Sequence, residues 1–151
     1  MSKPRPKMSR ERLLRKRMIT QYRKGNAAAA SHTAQELLSS YDKYENSIRS
    51  TPAYADDLFN AAMIYAAAGD DDQAMNLYKE SIHRVMLHQG LSLEVAARLT
   101  NLGVLLIDIG NPDAACNVFE QVLFVSRMFL PSGHKDLAQV LSNLGNALYE
   151  T

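Results

Sequence analysis

The chain of 151 residues is one domain's worth, long enough to bury about 68–70% of the surface that its unfolded form exposes. One cysteine, no apolar run near the ~18 residues of a membrane helix, no apolar segment behind the basic start and no Asn-x-Ser/Thr site exclude a disulfide framework and a membrane span. They predict an intracellular protein, most simply cytoplasmic. The net charge of +1 conceals two opposed regions: residues 1–24 hold ten Lys/Arg against Glu11 alone, and the remainder holds seven basic and fifteen acidic side chains.

Residues 1–8, with Pro4 and Pro6 among basic side chains, read as a disordered lead-in. A first helix is predicted from Ser9 to Lys24, capped by Ser9 and carrying Leu14, Met18 and Tyr22 on one face. Gly25-Asn26 ends it, and a second helix should run from 27 to 44. Residues 9–54 then form a degenerate opening pair, with Ala30 five residues beyond Gly25, Ala34 nine and Leu38 thirteen beyond it. After the loop around Ser50-Thr51-Pro52, helices are expected near 53–68, 71–89, 93–109, 112–130 and 135–150, about seven in all. Gly69 and Gly110 close first helices in the left-handed conformation. Asp70, Asp71 and Asp72, and then Asn111 with Pro112, start the second ones. In the last helix Leu141, Leu144 and Leu148 should face the core.

Ala-x-x-Leu-x-Asn occurs at Ala55-Leu58-Asn60, Ala96-Leu99-Asn101 and Ala138-Leu141-Asn143, with spacings of 41 and 42 residues. A period of that size marks a helical repeat array whose units bury their apolar faces against one another. The units are 55–95, 96–137 and a partial one, 138–151. Gly69 is followed at five, nine and thirteen residues by Ala74, Tyr78 and Ile82, and Gly110 by Ala115, Phe119 and Leu123. Such small and large residues suit two close antiparallel helices. At this period the next helix-ending glycine falls just beyond Thr151. The last helix therefore reads either as a solvating cap or as the cut edge of a longer array.

Leu99, Leu102-Gly103, Leu106, Gly110, Ala115 and Phe119 resemble the tetratricopeptide repeat signature, and Leu58, Tyr65, Gly69, Ala74 and Tyr78 a second copy in which Ala61-Ala62 replaces Leu-Gly. The period, and the linker from Leu130 to Ala138, are similar to the kinesin light chain type, although Lys135 and Pro131 stand where its Pro and Gly are usual. The resemblance covers roughly Ala55 to the end. It implies an all-α, right-handed α-solenoid of antiparallel helix pairs.

Catalytic motifs are missing. There is no phosphate-cradling Gly-x-x-x-x-Gly-Lys-Ser/Thr, Gly-x-Gly-x-x-Gly or His-Glu-x-x-His. Cys116, beside Ala115, reads as a packed thiol, and His32, His83, His88 and His134 have no metal-ligand spacing. No enzyme activity, cofactor or metal is expected. Met63, Met75, Met86 and Met128 are expected to fill gaps in the core.

The resemblance implies that the first helices line a concave groove. Carried over by register, groove positions are Asp56, Phe59, Asn60 and Met63, then Thr100, Asn101, Val104 and Asp108, then Gln139, Ser142, Asn143, Asn146 and Tyr149. The recurrent Asn60, Asn101 and Asn143 can pair with an extended peptide backbone or, alternatively, tie adjacent helices in an amide ladder. Phe59, Met63 and Val104 would supply apolar pockets. Some members of the family grip a C-terminal carboxylate with Lys and Arg where this chain has the uncharged Gln139 and Asn143, so a clamp on a chaperone tail is not expected. With acidic body residues outnumbering basic ones, a neutral or basic peptide is the better partner. The expected function is a protein-interaction scaffold or adaptor that captures a partner segment, extended or helical, without a chemical step. The alternatives are binding of nucleic acid or another polyanion through Arg10, Arg12, Arg15, Lys16 and Arg17, and a fragment of a longer repeat protein. For the basic arm itself, a solvated tail and a mitochondrial targeting segment also stay open.

Overall fold

The computed structural model describes residues 9–44, 49 and 51–151. The expected lead-in at 1–8 lies outside them. Among the described residues the chain forms α1 (Arg10–Arg23), α2 (Ala27–Ser40), a 3-10 turn (Tyr41–Lys43), α3 (Pro52–Ala67), α4 (Asp71–Gln89), α5 (Leu93–Asp108), α6 (Pro112–Phe129) and α7 (Lys135–Glu150), with no strand. Every one of these helices starts on a side chain that accepts a backbone N–H: Ser9, Asn26, Thr51, Asp70, Ser92, Asn111 and His134 in turn. Each cap satisfies a donor that the first turn would otherwise leave without a partner.

The same turn closes three helix pairs. Gly25, Gly69 and Gly110 have φ of 76°, 83° and 78°, which glycine adopts without steric cost. The N–H of the next residue, Asn26, Asp70 or Asn111, then donates to the carbonyl of Gln21, Tyr65 or Leu106 at 3.0, 2.9 and 2.8 Å. That residue's side chain caps the following helix, so two residues both stop one helix and start its partner.

Helices pack mainly on their chain neighbours, in antiparallel pairs stacked along one axis. The core is one continuous cluster, with Met18, Leu37, Ile64, Val95, Phe119 and Val122 among its most deeply buried members. Ala30, Ala34, Ala61, Ala62, Ala74 and Ala115 are fully buried, because backbones this close leave room for nothing larger. The tightest approach is at Gly103, where an added Cβ would stand 2.7 Å from Cζ of Phe119.

Three expectations need correction. The second helix stops at Ser40 and not near 44, because Tyr44 is extended and its N–H closes a tighter turn on the carbonyl of Tyr41. Met63 and Met75 pack against the core, but Met86 and Met128 are largely exposed, since no helix lies over their sides of α4 and α6. In α7 the buried residues are Val140 and Ala147, with Leu144 half-buried, while Leu141 and Leu148 face outward. The apolar stripe of α7 is wider than the surface that α6 offers it.

Candidate partner-binding surface

Two buried charges fix the geometry of the first helices. Asp57 on α3 is fully buried and accepts from Arg15 Nε at 2.6 Å, from Arg15 Nη2 at 2.7 Å and from the Tyr41 hydroxyl at 2.6 Å. The Asp57 hydrogen bonds raise the Arg15 pKa above its ordinary value, and burial raises that of Tyr41, with Asp57 adding to it. Arg98 on α5 is 4% exposed. It donates to the Ala55 carbonyl at 2.9 Å, to Asp56 and Glu94 at 2.5 Å each, and to the Ser81 hydroxyl. Its hydrogen bonds hold the Glu94 carboxyl below the usual range. The guanidinium also lies over the Phe59 ring, 4.9 Å from the centroid, and that ring packs at a tilt against Tyr78 at 5.7 Å. One side chain therefore ties α5 to both α3 and α4. Neither Asp57 nor Arg98 stands out in the sequence. Their signal is a cation among apolar neighbours, Val95-Ala96-Ala97-Arg98-Leu99, placed about one repeat after the acidic pair Asp56-Asp57.

Of the expected groove residues, Phe59, Asn60 and Met63 are half-buried on α3, and Asp56 is engaged by Arg98. On α5, Val104 is 44% exposed and Asp108 is exposed. The Thr100 hydroxyl and the Asn101 amide donate to Ala96 and Ala97 carbonyls of their own helix, at 2.9 and 3.0 Å. On α7, Ser142, Asn146 and Tyr149 are exposed, and Asn143 accepts from Gln139 at 3.1 Å. Asn101 and Asn143 thus bond within their own helices, and among the described residues the polar ties between first helices run from Arg15 to Asp57 and from Arg98 to Asp56 and the Ala55 carbonyl. A cleft of about 210 Å³ between α5, α6 and α7 brings Thr100, Gln139 and Asn143 together over Ala96, Ala97 and Val140. Phe59 and Met63 lie outside it, further along the row of first helices.

The basic helix divides in use. Arg15 is committed to Asp57, which removes it from the set of cations offered to an anionic partner, and Arg10 pairs with Glu36 at 3.1 Å. Arg12, Lys16 and Arg17 are exposed. Glu11 accepts from Tyr44 at 3.0 Å and pairs with Lys43 at 3.3 Å, which anchors the 3-10 turn to α1.

Cys116 is buried at the α6 core face. Among the described residues there is no metal-ligating cluster of His, Cys, Asp and Glu, and no helix long and apolar enough to cross a membrane.

Residues 58–89 and 95–131 each match a model of the tetratricopeptide repeat. No curated protein sequence matches the chain. Among solved structures, BtubC (BKLC) from P. vanneervenii is similar with a TM-score of 0.77 and 26% identity, covering 88% of this chain and 53% of that one. The nearly identical TPR-like repeats of a Podosopora anserina putative kinesin light chain are similar with a TM-score of 0.77 and 18% identity, covering 93% of this chain and 66% of that one. A second crystal structure of those repeats, carrying one substitution, gives 0.76 and 17%, covering 95% and 68%. The chain thus spans about half the length of BtubC.

Proposed function

From the premise that this chain is built of tetratricopeptide repeats similar to those of kinesin light chains, we propose that it is a protein-interaction scaffold whose first helices capture a segment of a partner protein. The observation that carries this is the row of side chains along α3, α5 and α7. Phe59, Met63 and Val104 offer apolar contact, and Thr100, Gln139 and Asn143 offer hydrogen bonds around one cleft. Beneath that row, Arg98 locks α3, α4 and α5 together, so little ordering of the scaffold is required on binding. Capture is reversible and involves no chemical step. The acidic body favours a neutral or basic segment.

The test is affinity capture from nuclease-treated lysate by the wild-type chain, a Val104→Glu/Asn143→Arg variant, and an Arg12→Ala/Lys16→Ala/Arg17→Ala variant. We expect one discrete protein to be lost at least tenfold with the first variant and kept with the second, the circular dichroism of both being unchanged. The reverse pattern, with binding falling steeply as salt rises, would move the function to the exposed cations of α1 and a polyanionic partner. That second reading is favoured by Arg12, Lys16 and Arg17 standing exposed on one helix.

A further inference from the structure

We infer that the cleft between α5, α6 and α7 is a guanidinium pocket, filled by an arginine side chain of the captured partner segment. The inference rests on the first-helix row being the binding surface and names what one cleft of that row selects. The repeat register carries it. At the junction of α3, α4 and α5, Arg98 is held by the Ala55 carbonyl, Asp56, Ser81 and Glu94, and it lies over the Phe59 ring. One unit on, 41 or 42 residues later, those five positions are Ala96, Ala97, Val122, Asp136 and Thr100, and the position of Arg98 is taken by Val140. All six line the cleft of about 210 Å³. At the earlier junction the corresponding space, beside Pro52, Ala55, Val85, Gln89 and Glu94, is only about 20 Å³. The second junction therefore keeps the outline of the Arg98 clamp and lacks its cation.

The polar groups that remain suit a cation brought from outside. Asp136 holds the place of Glu94, which accepts from Arg98 at 2.5 Å. Among the described residues its carboxylate is within ion-pair distance of no lysine or arginine, and of His134 at 3.7 Å. With its amide nitrogen turned to Asn143, Gln139 leaves its carbonyl oxygen as a further acceptor. Ser126, 3% exposed, adds a hydroxyl. Acceptors spread around one space match the planar fork of a guanidinium better than the point charge of a lysine. Val122 and Val140 offer apolar contact to the methylene stem. An acidic side chain would meet Asp136 as a like charge and be rejected.

The probe is the peptide acetyl-Gly-Arg-Gly-amide, titrated into the full chain labelled with nitrogen-15 and followed at the backbone amides of Thr100, Asp136, Gln139 and Asn143. We expect saturable shifts at these positions. Replacing the arginine by citrulline, which keeps the shape and removes the charge, should weaken binding at least fivefold, and so should Asp136→Asn in the chain. Ala97→Asp restores the counterpart of Asp56 at an exposed position and should tighten binding severalfold. Val140→Arg supplies the cation within the chain and should abolish binding while the thermal transition is retained. Absence of shifts overturns the inference, as does equal binding of the citrulline peptide or an Asp136→Asn chain that binds as well as wild type. A lysine peptide that binds as tightly as the arginine one overturns the guanidinium assignment. A protein captured from lysate and lost with the Val104→Glu/Asn143→Arg variant, with no response to the arginine probe, would overturn the pocket and leave the first-helix row standing. The expected probe response with no protein captured would keep the pocket and overturn the row.

Discussion

Gly103 has the Phe119 ring where a side chain would begin, whereas Gly145 has open space and lies within regular helix. The same substitution should therefore act in opposite directions. Gly103→Ala forces the ring or the α5–α6 spacing to shift and should cost about 1–3 kcal/mol. Gly145→Ala meets nothing and reduces the freedom of the unfolded chain, so it should stabilise by ~0.5–1 kcal/mol. Urea unfolding of the two variants checks this, and a common sign for both would contradict the packing described. Leu-Gly stands in the sequence at both positions, Leu102-Gly103 and Leu144-Gly145. What was not legible is that only one of them is covered, because a repeat signature records what a position is built to meet and not whether the neighbour is there.

At the scale of elements, Asp57 joins α1, the 3-10 turn and α3 through Arg15 and Tyr41. Asp57→Ala leaves Arg15 and the Tyr41 hydroxyl without their acceptor and should cost roughly 3 kcal/mol, at the low end for a buried pair because Arg15 is partly solvated. Arg15→Ala/Asp57→Ala should cost clearly less than the sum of the two single changes, as a double-mutant cycle would measure. Additivity would show that the pair does not couple these elements. Helix boundaries were largely readable because Gly25-Asn26, Gly69-Asp70 and Gly110-Asn111 stop and start helices by local chemistry alone. The clamps were not, since hydropathy assigns Arg15, Asp57 and Arg98 to the surface and only their partners, about 42 residues away, allow them inside. For α7, Leu141 and Leu148 were assigned to the core by their spacing, but periodicity finds an apolar face without saying which half of it is covered.

Across the whole molecule, burial and cross-links are uneven. The middle of the array, α3 to α5, is packed on both sides and held by Arg98, whereas α7 buries only Val140 and Ala147 and is not held by either clamp. Native-state hydrogen exchange should be fastest in the helical amides of α7 and slowest in α3 to α5. Exchange led by α1 and α2 would mean that the Asp57 pair contributes little to holding the opening helices.

The Arg15–Asp57 and Arg98–Asp56 pairs also give the array a mechanical polarity. Among the described residues neither charge pair reaches α7, so a load drawn between the two ends of this chain meets there chiefly the packing of Val140 and Ala147, which can be peeled away one turn at a time. Further in, each charge pair bridges segments 42 residues apart, so extension has to break several hydrogen bonds at once before any length is released. The molecule should yield in a fixed order under tension, with α7 first and the clamped helices last.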